Sequence, residues 1–163
     1  MKSELYFVAL LPDKLLEKLN QYQKQLSVIF ELYDEYYPVL HITLAKLFYD
    51  DEGQIPLLVK NLQEMLSLCH SPTIYIDGVS CFGPPYKSVN IHVCSTPYLQ
   101  QFSQSIHQAA AQAGMDYENF GGQWQYHISL ANSAFAKREW TDAEYCLACN
   151  ILKRMDFNAH FQI

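Results

Sequence analysis

The sequence has a shortage of positive charge, and this shortage limits its ligands. Lys and Arg number 11 against 17 Asp and Glu, which gives a formal net charge of −6. Proteins that bind nucleic acid along its backbone usually carry a basic face. We therefore expect no long duplex nucleic acid as a partner. If the chain handles a nucleotide or RNA, we expect it to bind a small piece or an end.

The sequence also lacks long apolar runs and has only one pair of closely spaced cysteines. The five cysteines are odd in number and mostly isolated, which suits a reducing compartment. The apolar run at residues 5–11 is far too short to span a membrane, and no small-residue cleavage site follows it. The sequence thus predicts a cytoplasmic protein without membrane contact.

The remaining composition is that of a folded protein. Half of the 163 residues are apolar and 17% are charged, which argues against disorder. The length suits a single domain with a substantial interior. We expect it to be a monomer.

One short pattern occurs twice, as HITL at residues 41–44 and as HISL at residues 127–130. Side chains on a strand alternate between its faces. Each copy would therefore place a histidine and a hydroxyl residue on one face and two aliphatic residues on the other.

Apolar periodicity predicts the same order of elements in both halves of the chain: strand, helix, motif strand, helix, strand. The first half has strands at 5–11, 39–48 and 73–82 and helices at 15–29 and 56–69. The second half has strands at 88–94, 124–131 and 157–161 and helices at 97–113 and 141–154, the last with a Thr141–Glu144 capping box. The continuous apolar run of the first strand predicts burial on both faces.

This order predicts an α+β fold made by duplication. The segment Gly83 to Tyr86 (GPPY) is the strongest turn signal and lies at the midpoint. We expect lobes from about 1–83 and 86–163, related by a pseudo-twofold axis. Such an axis would bring the two motif strands side by side, lining a central cleft.

The paired motifs resemble those of the 2H phosphoesterase superfamily, most closely its LigT-like branch of 2′–5′ RNA ligases and cyclic phosphodiesterases. Residues 6–12 (YFVALLP) are similar to the first strand of that branch, and Phe82 to Pro85 (FGPP) is similar to its mid-chain junction. The resemblance implies a bilobed fold and attack on phosphodiesters such as 2′,3′-cyclic nucleotide ends, without metal or cofactor. Many relatives have a basic residue after the second motif, where this chain has Asn132 and Ser133.

Carried onto this chain, the resemblance makes His41 and His127 the catalytic pair and Thr43 and Ser129 the phosphate-binding residues. Histidine can donate or accept a proton near neutral pH. Hydroxyl groups can donate hydrogen bonds to the non-bridging phosphate oxygens. The sequence does not assign which histidine is the acid and which is the base.

Three other interpretations remain open. The histidines can be half-buried residues that only bond to their hydroxyl neighbours, or the cleft can bind a nucleotide or RNA end without catalysis. A metal site at His41 and His127 is the weakest alternative, because neither motif has a carboxylate or a second histidine at ligand spacing.

Residues outside the motifs supply candidates for substrate binding. Tyr36, Tyr37 and Tyr126 precede the motifs and are candidates for stacking a nucleobase. They can equally fill sheet edges or lobe junctions. Lys46 and Lys87 are candidates for attracting phosphate.

Two further groups of residues have no assigned role. Asn90 and His92 share the polar face of one strand, which either lines the cleft or faces solvent. Cys146 and Cys149 have the spacing of a metal or redox pair but lie within a predicted helix, where packing is the simpler explanation.

Overall fold

The computed structural model describes residues 2–119 and 124–163. Within these ranges the strands are β1 (Ser3–Leu10), β2 (His41–Tyr49), β3 (Thr73–Phe82), β4 (Ser88–Val93), β5 (Asp116–Tyr117), β6 (His127–Asn132) and β7 (Asn158–Gln162). The helices are α1 (Asp13–Phe30), α2 (Gln54–Leu68), α3 (Pro97–Gln112) and α4 (Asp142–Lys153), with a 3₁₀ turn at Ser133–Phe135. None of these helices is long and apolar enough to cross a membrane.

The strands form one seven-stranded sheet in the order β1-β2-β6-β4-β3-β7, and β5 pairs with β2. Every observed pairing is antiparallel. The predicted α+β class is confirmed, and the two motif strands, β2 and β6, are neighbours. They meet at the pair Ile42–Ile128.

The prediction that the first strand is buried on both faces is wrong. In the described sheet β1 stands at one end of the strand order, and Tyr6 and Leu10 on it are exposed. Ala9 points into the core, whereas Val8 and Leu10 line an open cleft. The apolar run arises because β1 supplies both the core and one wall of that cleft.

Strands from both halves of the chain form one sheet, and the expected lobes 1–83 and 86–163 stay a prediction. Strand β3 of the first half lies between β4 and β7 of the second half. Helix α1 packs against β6, and α3 packs against β2, so each helix contacts the motif strand of the other half. The duplication itself stays a prediction.

The core fixes the motif strands in place. Ile42, Leu44, Ile128 and Leu130 are almost completely buried, as the alternation predicts. Helix α1 contributes a buried stripe at Leu19, Leu26 and Phe30, and α3 contributes Leu99, Phe102 and Ile106. Burial of these apolar side chains is the main energetic support for the strands.

The sequence predicted no disulfide, but the structure contains one. Cys81 on β3 and Cys149 on α4 form a disulfide across 68 residues of sequence. Cys146, three residues before Cys149, is exposed and free. The spacing of the cysteines in the sequence could not show that Cys81 is the partner of Cys149, because their contact depends on how α4 packs on β3.

Candidate active site

A cleft of about 640 Å³ lies over the motif strands and is lined by His41, Thr43, His127 and Ser129. These are the four residues that the sequence singled out as catalytic and phosphate-binding. They share a face because their aliphatic neighbours point into the core. The structure therefore brings all four together, while their roles stay predictions.

The strand register sets how the four side chains alternate. The strands are antiparallel with Ile42 opposite Ile128. This register places His41 on the side of Ser129 and Thr43 on the side of His127. Each histidine thus lies beside the hydroxyl residue of the other motif.

Both histidines make the same backbone hydrogen bond. His41 Nδ1 donates to the Val39 carbonyl at 2.7 Å, and His127 Nδ1 donates to the Gln125 carbonyl at 2.8 Å. A carbonyl oxygen only accepts, so Nδ1 carries the proton in each ring. Nε2 is therefore the nitrogen that can exchange a proton with a ligand.

The surroundings of His127 favour its neutral form. Burial lowers its pKa, the nearby His41 lowers it further, and the Gln125 carbonyl partly opposes both effects. The Phe82 ring packs edge-on against the imidazole with 4.8 Å between ring centroids. Sequence reasoning missed Phe82 because its contact depends on the pairing of β3 and β4.

Ser129 is held by a buried network that the sequence did not assign. Its Oγ donates to Asn90 Oδ1 at 2.9 Å, and Asn90 Nδ2 donates to Ser88 Oγ at 3.1 Å. Asn90 is 0% exposed and lies opposite Ser129 in the register of β4 and β6. The sequence indicated Asn90 only as a polar residue at an alternating position of β4.

Comparison with known proteins identifies the family. The family model of the AKAP7 2′5′ RNA ligase-like domain matches residues 6–162. The chain belongs to this family. The predicted membership of the 2H phosphoesterase superfamily is thereby confirmed, and the family supports a phosphodiesterase-type activity.

A solved structure has a similar fold. The chain resembles the MHV ns2 PDE domain with a TM-score of 0.60 and 15% sequence identity, over 91% of this chain and 80% of that chain. No curated protein matches the sequence.

The aromatic residues that line the cleft of this AKAP7-like domain are not the three tyrosines predicted to stack a nucleobase. Tyr126 as a base platform is wrong, because its ring is 3% exposed and its hydroxyl donates to Ser103 Oγ at 2.8 Å. Tyr36 is 88% exposed, and Tyr37 packs edge-on against Tyr33.

Neither Tyr36 nor Tyr37 is among the residues that line the cleft. The aromatic side chains that do line it are Tyr6, Tyr33, Trp124 and Phe135. Phe120, another aromatic residue before the second motif, lies outside the described residues.

The cleft of the AKAP7-like domain is poor in positive charge. Lys46 pairs with Glu4 at 3.0 Å and with Glu118 at 3.7 Å. Among residues 2–119 and 124–163, no lysine or arginine lines the cleft. Among the described residues that line the cleft, His41 and His127 are the side chains that can carry a positive charge.

Lys87 is also engaged in ion pairs. Its ammonium group pairs with Glu139 at 3.1 Å and with Asp142 at 3.0 Å, near the start of α4. Neither predicted phosphate-attracting lysine lies at the cleft.

Proposed function

We propose that this chain is a metal-independent phosphodiesterase that acts on 2′,3′-cyclic phosphate or 2′–5′ phosphodiester bonds of nucleotides or RNA ends. Its family supports the general activity of a 2H phosphodiesterase. One observation carries the finer proposal: two histidines share one cleft, and each has Nδ1 committed to a backbone carbonyl.

In the hydrolytic direction His127 acts as the base. Because burial favours its neutral form, its Nε2 takes the proton of the attacking water as the water oxygen bonds to phosphorus. Protonated His41 gives its proton to the departing ribose oxygen as the P–O bond breaks. In the reverse, ligating direction the two roles exchange.

Thr43 and Ser129 bind the non-bridging oxygens, and the Ser129 hydroxyl proton turns from Asn90 Oδ1 to the phosphate when the substrate binds. Their backbones lie on the same two strands as the histidines, so the strand geometry fixes the distance between acid, base and hydroxyl groups. Neutral donors held in place stabilise charge that develops in the transition state.

The walls of the cleft indicate how the rest of the substrate binds. Val8 and Leu10 form an apolar wall on β1, and Tyr6 and Phe135 present exposed rings. Stacking of a base on an aromatic ring contributes about 1–3 kcal/mol. We assign this role to Tyr6 or Phe135 in place of the predicted tyrosines.

The test uses a 2′,3′-cyclic mononucleotide, with and without a chelator. We expect hydrolysis that resists the chelator and has a bell-shaped pH profile, with its acid limb below the ordinary histidine pKa of about 6.5. His41→Ala and His127→Ala should each lower kcat by about 100-fold or more.

The control variant is His160→Ala, at an exposed position on β7. It should leave the rate unchanged, and circular dichroism should show that all variants are folded. Full turnover by either cleft variant would refute the mechanism. Binding without turnover would instead favour a non-catalytic nucleotide or RNA-end module. Loss of activity with the chelator would favour a metal enzyme.

A further inference from the structure

Three side chains with different donor atoms meet outside the catalytic cleft. Asp77, His92 and Cys94 offer a carboxylate oxygen, an imidazole nitrogen and a sulfur, and these atoms all lie within 4.8 Å of one another. We propose that Asp77, His92 and Cys94 form a binding site for a zinc-type divalent metal ion.

Local backbone structure brings the three residues together. His92 lies near the end of β4 and Cys94 directly follows that strand, two positions later, so both side chains lie on the same face. The register of β3 and β4 shifts between Ile76 and Val79, so that Asp77 and Gly78 together oppose His92. Such a bulge re-aims a side chain, and the φ of +116° at Gly78 explains why glycine occupies it.

The contacts within the cluster argue against a nucleophilic triad. In a triad the histidine lies between the nucleophile and the carboxylate. Here Asp77 is the shared partner: it contacts His92 Nδ1 and also interacts with the Cys94 thiol. Burial, and then the hydrogen bond and charge of Asp77, raise the pKa of Cys94, which favours the protonated thiol over the nucleophilic thiolate.

The spacing of the three donor atoms of Asp77, His92 and Cys94 suits a metal ion. Donor atoms around tetrahedral zinc lie about 3.5 Å apart, given bond lengths of about 2.0 to 2.3 Å. Small side-chain rotations would reach this spacing from the observed cluster. A sulfur ligand favours zinc over magnesium or calcium, which prefer oxygen. On binding, the Cys94 proton leaves to solvent and the sulfur becomes a thiolate.

The cluster is accessible to an incoming ion. An open depression of about 470 Å³ is lined by Asp77 and Cys94 together with Asn158 and His160 of β7. Water in this depression can fill the fourth coordination position. The site lies beside the catalytic cleft: His92 and Cys94 are not among the residues that line the cleft, and His92 pairs with His127 in the register of β4 and β6.

The experiment uses Co²⁺ as a spectroscopic probe and Zn²⁺ as its competitor. We expect one equivalent of Co²⁺ to give a thiolate-to-cobalt charge-transfer band in the near ultraviolet, together with tetrahedral visible bands. Zn²⁺ should displace it. Cys94→Ser should abolish the charge-transfer band, and His92→Gln and Asp77→Asn should each weaken Zn²⁺ binding by at least 10-fold.

The matched controls are the other free cysteines, Cys69 and Cys146. Cys69→Ser and Cys146→Ser should keep both the band and the affinity. Absence of the band in the unaltered protein would overturn the proposal, as would an unchanged band in Cys94→Ser. His92→Gln and Asp77→Asn change side chains at a partly exposed surface, so they test the site even if Cys94→Ser does not fold.

Discussion

At the residue scale, the backbone rather than another side chain orients the cleft histidines. Each ring donates Nδ1–H to the carbonyl two positions earlier, at Val39 and Gln125. Every residue type has a backbone carbonyl. The motif sequence therefore predicts the histidine and the hydroxyl residue but not which ring nitrogen of the histidine carries the proton. The two residue pairs could be predicted from sequence, whereas the proton position on each ring required the fold.

His127→Gln should reduce the loss of stability of the protein on acidification. The pKa of His127 is lowered in the folded state, so below about pH 6.5 the unfolded chain takes up a proton before the folded one does. Stability is therefore present above this pH and is lost as the pH falls toward the folded pKa. Urea unfolding at pH 8, 6.5 and 5 measures the free energy of unfolding.

The stability difference between the parent protein and His127→Gln should shrink from pH 8 to pH 5. His107→Gln is a matched variant, because burial also lowers the pKa of that histidine. It should act in the same direction. An identical pH dependence in the parent protein and His127→Gln would contradict the assignment.

Other residues show where sequence reasoning stopped. Tyr126 directly precedes His127, so strand alternation alone already places it on the opposite face, and the sequence could have excluded it. Asn90 and Phe82 are different. Their contacts with Ser129 and His127 depend on the pairing of β4 with β6 and of β3 with β4. That pairing is a long-range property without a local signal.

At the element scale, local patterns located most strands and helices. The motif strands were predicted at 39–48 and 124–131 and are found at His41–Tyr49 and His127–Asn132. Strand β5 has two residues, too few to give a periodic pattern. The insertion of β3 between β4 and β7 was not predictable, because each strand has an apolar face that suits several neighbours.

The start of α4 combines a capping box with a link to α1. Thr141 Oγ1 accepts from the Glu144 backbone N–H, and Glu144 accepts from the Thr141 backbone N–H. Arg138 donates to both carboxylate oxygens of Glu144 and to the Phe30 carbonyl at the end of α1. The Arg138 guanidinium therefore joins the start of α4 to the end of α1.

Glu144→Gln should remove part of the acid sensitivity of the protein. The Arg138 guanidinium and the Thr141 hydrogen bonds lower the pKa of Glu144 from 4.5 to about 2. The stabilisation is present above pH 4.5 and is lost as the pH falls toward 2, when the folded protein must also take up the proton. Denaturant unfolding between pH 7 and pH 3 should show a shallower decline for this variant.

Thr141→Ala serves as the comparison, since it removes the cap but keeps the carboxylate. It should lower the free energy of unfolding by about 1 kcal/mol at neutral pH. If Glu144→Gln and the parent protein declined in parallel, the link through Arg138 would not be the cause.

At the scale of the whole molecule, charge limits what the cleft can hold. The net charge is −6, and in the described part of the chain the cleft has no lysine or arginine. Lys46, which does not line the cleft, pairs with the carboxylates of Glu4 and Glu118. A long polyanion gains little beyond the single phosphate that the two histidines and two hydroxyl groups can contact.

Substrate length should therefore have little effect on binding. The KM for a 2′,3′-cyclic mononucleotide should be within a few-fold of that for an RNA oligomer with the same cyclic end. Each backbone phosphate that a protein neutralises on a single strand contributes about 0.7 to the slope of log affinity against log salt. With one phosphate in the cleft, both substrates should give a slope of about 1 or less.

A variant with an added cation provides the control. Val39 is exposed at the cleft and directly follows Pro38, two positions before His41. Val39→Lys should lower KM several-fold at low salt and steepen the salt dependence, because it supplies the charge that the cleft lacks. If the unaltered chain already bound the longer RNA more than 10-fold better, with a slope of several units, a basic surface outside this cleft would be recruiting the backbone. The small-substrate interpretation would then be wrong even if the two histidines are catalytic.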